Sequence, residues 1–137
     1  MNKVYKGLSA FSLLISLWLL AIARLFPICS GLGNGRPMPC HYTYQAVFLF
    51  ALLAAIASLG LFALRTDEAK AAAGFFVFAV GVFILALPQS WASGICAHGG
   101  SCAKTAFFSN IGAAALAASG AFLCFSRLRM LRLRSEG

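Results

Sequence analysis

The chain has 137 residues, of which 61% are hydrophobic and only 10% are charged. Soluble domains carry roughly 25% charged residues, so this chain cannot cover a water-facing surface and is predicted to be an integral membrane protein. Its length leaves no room for a soluble domain beside a membrane bundle, so we expect one domain over residues 1–137. The net charge of +8 does not indicate nucleic-acid binding, because the basic residues stand at the ends of apolar segments, where membrane topology accounts for them.

Four apolar stretches predict four membrane-spanning helices, over about residues 8–28, 45–64, 71–91 and 105–126. A helix of about 20 residues rises ~30 Å and therefore spans the hydrocarbon core of a bilayer. The stretches are too long and too continuously apolar to be transmembrane strands. We therefore predict an all-α membrane protein, a four-transmembrane-helix bundle of two hairpins, with outer loops over 29–44 and 92–104.

The first apolar stretch also has features of a secretory signal peptide. Lys3 and Lys6 form a basic start, and Ala21 and Ala23 have the spacing of a cleavage site. The apolar run is nevertheless long enough to span the membrane, which is not typical of signal peptides. We therefore expect an uncleaved first helix.

The distribution of basic residues predicts the orientation of the bundle. If the chain starts in the cytoplasm, eight of its eleven Lys and Arg residues are cytoplasmic, namely Lys3, Lys6, Arg65, Lys70, Arg127, Arg129, Arg132 and Arg134. The other side carries Arg36 and Lys104, and Arg24 lies within the first helix. The positive-inside rule then places both termini in the cytoplasm. Both outer loops would face the oxidising side of a bacterial inner (cytoplasmic) membrane.

These two outer loops hold most of the side chains that are capable of chemistry. The first carries Cys29, Cys40 and His41, and the second carries Cys96, His98 and Cys102. Three interpretations of this pattern remain open. The simplest is a pair of disulfides, Cys29–Cys40 and Cys96–Cys102, although four cysteines allow three pairings and the sequence does not select one. Each short ring would add roughly 2–3 kcal/mol of stability on chain-entropy grounds.

The second interpretation is redox catalysis. Four outward cysteines on a four-span bundle are similar in layout to bacterial quinone-linked enzymes that generate disulfides. Arg24 lies close to Cys29 in sequence and would stabilise a thiolate there, because positive charge lowers the pKa of cysteine; it can equally extend to the lipid headgroups. The Cys-x-x-Cys pair of those enzymes is absent from this sequence, so the similarity covers architecture and not motif.

The third interpretation is a bound metal or haem. If the two loops meet, they bring together soft ligands that suit copper or zinc, namely Met38, Cys40, His41, Cys96, His98 and Cys102. The Cys-x-x-Cys-His motif for haem attachment is absent. The neighbours Cys40 and His41 need a sharp local turn to reach one ion.

Small residues in the third and fourth helices indicate close helix packing. They include Gly74, Gly81, Gly112, Ala113, Ala114, Ala117, Ala118 and Gly120. Small residues let helix backbones approach closely inside a bilayer. Those of the fourth helix surround it instead of forming one stripe, so we expect them to serve the bundle and leave a face for another membrane subunit.

The segment from Pro37 to Thr43, which follows Cys29, resembles a family of short four-span bacterial membrane proteins of unknown function. The resemblance lies in the Met-x-Cys-His-aromatic-Thr pattern formed by Met38, Cys40 and His41. It implies that Cys29, Met38, Cys40 and His41 form the signature site of the family. It also implies association with an export-linked, mechanotransmitting ABC-type transporter.

Taken together, these observations predict a small non-enzymatic accessory subunit of a bacterial membrane complex. All three acidic residues lie outside the predicted spans, which argues against an independent ion-driven transporter. The expected partners are the lipid bilayer and another membrane subunit, such as an ABC transporter permease. The alternatives are an extracytoplasmic copper, zinc or haem protein and a quinone-linked thiol-disulfide oxidoreductase.

Overall fold

The computed structural model describes residues 2–25, 39–89 and 101–136, and these ranges form four α-helices without any strand. Helix α1 spans Asn2–Leu25, α2 spans Pro39–Ala63, α3 spans Asp67–Ala86 and α4 spans Ser101–Ser135. Each helix contains a stretch long and apolar enough to cross a membrane. The prediction of an all-α membrane protein with four transmembrane helices is confirmed.

Two described helix ends differ from the hydropathy prediction. Helix α3 ends at Ala86, ahead of Pro88, whereas hydropathy extended it to 91. Proline has no backbone N–H, so Pro88 cannot continue the hydrogen bonding of the helix. Helix α2 already includes residues 39–44, which hydropathy placed in the outer loop.

Helix α4 is 35 residues long and extends past its predicted span at both ends. At ~1.5 Å per residue it measures about 52 Å, against ~30 Å for the hydrocarbon core. Its basic continuation is rich in leucine and arginine, which are strong helix formers in water as well as in lipid. Leu128 and Leu133 are exposed in this continuation.

The four helices form an antiparallel ring in which each helix packs against the next and α4 closes against α1. Between α2 and α3, Phe50 stacks on Phe83 with ring centroids 5.9 Å apart. The start of α1 and the end of α4 lie together, since Arg127 packs over the ring of Tyr5. We call this end of the bundle the basic end; it carries Lys3, Lys6, Arg65, Lys70 and the arginines of α4.

The interior of the ring is filled by large aliphatic side chains from all four helices. The buried set includes Leu19, Leu61, Val77, Ile84, Leu116 and Leu123. The outside is equally apolar, with exposed leucine, isoleucine and phenylalanine side chains such as Leu52, Ile56, Phe75, Phe83 and Phe125. An apolar interior with an apolar exterior is what a bilayer requires, because lipid solvates the exposed faces.

Helices α3 and α4 are joined by a seam of glycines that brings the two backbones together. A Cβ atom added at Gly81 would lie 2.6 Å from the backbone nitrogen of Ala117. One added at Gly120 would collide with the backbone of Phe78 and lie 2.9 Å from the carbonyl oxygen of Gly74. Such close approach is how helices associate where lipid removes the hydrophobic driving force. These glycines therefore serve the bundle itself.

Helices α1 and α4 meet through side chains instead. The hydroxyls of Ser12 and Ser119 share a buried hydrogen bond of 3.0 Å between the two helices. Gly112 provides the space for Leu19 and Trp18, whose side-chain atoms would lie 2.8 and 3.1 Å from an added Cβ. The same helix α4 thus presents a backbone surface to α3 and a side-chain surface to α1.

Candidate functional site

Most of the residues predicted to carry chemistry lie outside the part of the chain that the structure describes. Cys29, Met38, Cys96 and His98 fall in the segments 26–38 and 90–100. Positions 40 and 102 are described only as backbone in the first turns of α2 and α4. The disulfides Cys29–Cys40 and Cys96–Cys102, and a metal set that includes Met38, Cys40, His41 and His98, therefore stay predictions.

His41 is the one predicted ligand whose side chain is described. It is exposed in the first turn of α2, at the end of the bundle opposite the basic end. Its Nε2 atom lies 3.0 Å from Nε2 of Gln45, one helical turn further on. Its ring also meets the ring of Tyr42 edge to face at 6.0 Å. The amide nitrogen of Gln45 can only donate, so Nε2 of His41 accepts this hydrogen bond and the proton of the neutral imidazole is on Nδ1.

The structure changes the setting of this residue from the one predicted. Because α2 begins at Pro39, the segment from Cys40 to Tyr44 belongs to a helix and not to an outer loop. Successive helical positions are about 100° apart around the axis, so the sharp local turn considered for Cys40 and His41 is absent from this segment. Tyr42 is exposed, whereas Tyr44 is only 3% exposed and belongs to the interior.

Arg24 lies in the last turn of α1 with an exposed side chain. Its guanidinium carbon lies 5.0 Å from the centre of the Phe48 ring on α2. A guanidinium at this distance over an aromatic face makes a cation–π contact. This contact gives Arg24 a structural role between α1 and α2, and its predicted role beside a Cys29 thiolate stays a prediction.

Several buried polar side chains lie in the half of the bundle nearest His41. Thr43, Thr105 and Ser109 are each at most 4% exposed. The Ser109 hydroxyl and the Asn110 side-chain carbonyl are buried and find no hydrogen-bond partner within the described residues. Among those same residues, no three His, Cys, Asp or Glu side chains lie close enough together to hold a metal ion.

A second polar cluster, which the sequence did not reveal, ties all four helices together at the basic end. Arg127 of α4 donates a 3.0 Å hydrogen bond to the Asp67 carboxylate of α3 and lies 4.3 Å above the Tyr5 ring of α1. The Tyr5 hydroxyl donates to the Leu61 carbonyl of α2 at 3.3 Å. Lys70 adds a 3.8 Å contact to Asp67 and a contact with the same ring. We call this set the closing cluster.

Two members of the closing cluster, Arg127 and Lys70, were predicted only as basic residues that set the topology. Asp67 is one of only three acidic residues in the chain, and Tyr5 is one of three tyrosines. A scarce acid at the start of α3 and a tyrosine near the start of α1 were the available signals. Neither signal shows that α1 and α4 are neighbours, so the cluster could not be assembled from the sequence.

The fold and these sites define a multi-pass helical membrane protein. The family model described as "Domain of unknown function (DUF4418)" matches residues 11–126, and the chain belongs to that family. The predicted membership in a family of unknown function is thus confirmed, while its loop signature stays a prediction. Searches of curated proteins and of solved structures gave no match.

Proposed function

We propose that this protein is a small non-enzymatic accessory subunit of a bacterial membrane complex, with an ABC-type transporter as the partner. The observation that carries the proposal is the division of small residues on α4. Ala113 and Ala117 are buried in the bundle, whereas Ala114 and Ala118 are exposed on the outside of the same helix. The bundle therefore uses one small-residue face of α4 and leaves a second one free.

The exposed face has the shape that a transmembrane helix of a permease would need. Ala114 and Ala118 are one turn apart, and they lie between the exposed large side chains of Ile111 and Phe122. A pair of small residues flanked by large ones lets a second helix backbone approach closely in a bilayer. The ABC-type partner follows from the resemblance of the loop signature at Met38 to His41.

The interior supports an accessory role over an independent transport role. Two polar contacts of the described bundle join neighbouring helices, Ser12 with Ser119 and Arg127 with Asp67. Two cavities lie at the basic end, one between α1 and α4 and one between α3 and α4, and each is lined by residues of two helices. We further propose that the basic end is cytoplasmic and that a disulfide-held Cys/His cap lies outside, in keeping with the positive-inside rule.

Co-purification from native membranes tests the proposed interface. We expect the protein to be recovered with a larger membrane complex, and Ala118→Trp to reduce that recovery at least tenfold. The matched control is Leu53→Trp, which places the same side chain on the exposed face of α2. Because both positions are exposed, the isolated variants should keep the stability of the parent chain. Recovery of the parent protein without any partner, or turnover of a substrate by the purified chain alone, would contradict the proposal.

Mass-resolved alkylation tests the disulfide cap. In the unreduced protein we expect one alkylated cysteine, Cys124, which is a free thiol. After reduction, all five cysteines should react. Four reactive cysteines outside Cys124 before reduction would contradict the cap. Mixed disulfides with a partner protein, trapped in cells, would instead favour the quinone-linked oxidoreductase.

A metal-binding function is the second candidate, and the exposed position of His41 beside Cys40 at the start of α2 favours it. Binding of a metal would take His41 away from Gln45, because an imidazole binds through the nitrogen that carries no proton, and the donor Gln45 occupies that nitrogen. If Cu(I) or zinc binds through Met38, Cys40, His41 and His98, then His41→Ala should abolish stoichiometric metal binding. The control Cys124→Ser should leave it intact, and a parent protein without bound or acquired metal would rule out this candidate.

A further inference from the structure

A groove lies between α1 and α4 at the basic end. It is apolar along most of its length, has a volume of about 220 Å³ and is open on one side. Val4, Tyr5 and Leu8 of α1 form one wall, and Phe122, Leu123 and Met130 of α4 form the other. Cavities of ~150 Å³ already hold a molecule as large as benzene, so this groove has room for a ligand.

The groove is short and lined mostly by apolar side chains. Phe122 and Met130 are eight residues apart on α4, which corresponds to about 12 Å along the helix axis. This length is only about two turns of a helix, whereas a flexible hydrocarbon chain can follow the gap between α1 and α4.

The mouth of the groove is positively charged. Lys3 immediately precedes Val4, and Arg134 follows Met130 by one helical turn on the same face of α4. Both side chains are exposed. Arg127 also lines the groove, where it binds Asp67 through Nη1, and a guanidinium has further N–H groups to donate.

We propose that this groove binds one acyl chain of an anionic phospholipid, whose headgroup lies against Arg134 and Lys3. The apolar walls solvate an acyl chain as the bilayer interior does, so a chain can enter the groove from the membrane. The basic residues at the mouth are opposite in charge to the headgroup. The chain is held in the gap that the side-chain packing of α1 and α4 leaves open. This site is independent of any partner protein and of the Cys/His residues at the other end.

Native mass spectrometry of the detergent-extracted protein tests the charge part of the proposal. The probes are dioleoylphosphatidylglycerol and dioleoylphosphatidylethanolamine, which share their acyl chains and differ in headgroup charge. We expect one phosphatidylglycerol to be retained at least about fivefold better than phosphatidylethanolamine. This ratio corresponds to the roughly 1 kcal/mol by which one basic residue binds an anionic lipid surface. Arg134→Gln should remove this preference. The matched control Arg132→Gln removes the same charge two residues away, on the opposite side of α4, and should leave the preference intact.

Blocking the groove tests the acyl-chain part. Ser126 lines the groove, so Ser126→Phe should reduce retention of phosphatidylglycerol to the level seen for phosphatidylethanolamine. The control Leu53→Phe adds the same ring to the exposed face of α2 and should have no effect. Equal retention of the two lipids, equal losses in the two arginine variants, or competition by free glycerol phosphate would each overturn the proposal. Because Arg134 is exposed beyond the bundle, its variant stays informative even if Ser126→Phe does not fold.

Discussion

The two faces of α4 hold their neighbours by different means. Against α3 the contact is between backbones, and Gly81 and Gly120 leave no space for even one methyl group. Against α1 the contact is between side chains, with a serine hydrogen bond in the middle and an open groove at the basic end. Where the glycines stand, the backbone seam is closed because nothing in it can rotate away, and the cavity between α3 and α4 lies beside the seam at the basic end. The side-chain interface can adjust, and its groove is the more enclosed of the two spaces.

The largest effect is expected for Gly120→Ala, which breaks the backbone seam. The added methyl group collides with the backbone of Phe78, and backbone atoms cannot move aside without separating α3 from α4. We expect a loss of about 3 kcal/mol in the free energy of unfolding, measured by circular dichroism during titration with a denaturing detergent. Gly60→Ala is the control, because no atom lies within 4 Å of the added methyl group. Equal stability of the two variants would show that the seam is not rigid.

The second effect is expected for Arg127→Gln, which removes the residue shared by both interfaces at the basic end. The change removes the charged hydrogen bond to Asp67 and the contact with the Tyr5 ring. We expect a loss of about 2 kcal/mol in the free energy of unfolding. This value already allows for solvent, which weakens the charged hydrogen bond because the Asp67 side chain is 37% exposed. Arg129→Gln, an exposed arginine of the same helix, should cost less than about 0.5 kcal/mol. A similar loss of stability in both variants would mean that the contacts of the closing cluster contribute no more to the free energy of unfolding than an exposed charge does.

A smaller effect is expected for Gly112→Ala, the equivalent change on the side-chain face. Its added methyl group meets the ends of the Leu19 and Trp18 side chains, which can shift by rotation. We expect a loss of about 1 kcal/mol in the free energy of unfolding, which is clearly less than for Gly120→Ala. Thermal unfolding of the two variants side by side measures the difference. If Gly112→Ala cost as much as Gly120→Ala, the two faces of α4 would be equally rigid.

The smallest effect is expected for the hydrogen bond between Ser12 and Ser119. Double-mutant cycles of hydrogen bonds between helices in membranes average ~0.6 kcal/mol, so we expect a coupling energy of that size for the two alanine variants. The Ser9 hydroxyl donates to the Tyr5 carbonyl of its own helix, so a cycle of Ser9 with Ser119 is the control and should show no coupling. A coupling energy near zero for Ser12 and Ser119 would mean that side-chain packing, and not this hydrogen bond, stabilises the interface between α1 and α4.

The number and approximate location of the helices could be predicted from hydropathy, because a bilayer selects apolar stretches of fixed length. The ends could not, because hydropathy reports where lipid begins and not where helical hydrogen bonding stops. Pro88 ends α3 inside apolar sequence, and residues 39–44 of α2 are helical although they lie outside the apolar stretch. The position of Pro88 would have corrected the end of α3.

The packing of the bundle was only partly predictable. The sequence showed that the small residues of α3 and α4 favour close approach, but not that Gly120 contacts the backbone of Phe78 while Ala118 remains exposed. Which face of a nearly uniform apolar helix turns inward depends on its neighbours. The closing cluster was missed for the same reason, since Tyr5 and Arg127 are distant in sequence. The predicted cysteine site could be named by residue, but its side chains lie outside the described residues.

The closing cluster has a consequence for the biosynthesis of the protein. Tyr5 is synthesised long before its partner Arg127. Insertion in chain order therefore leaves α1 in the membrane without its α4 neighbour until α2, α3 and α4 have followed. During that interval Ser12 lacks the partner hydroxyl of Ser119, and the gap beside α1 is open to lipid or to an insertion factor. The ring of four helices therefore closes only when α4 has been inserted.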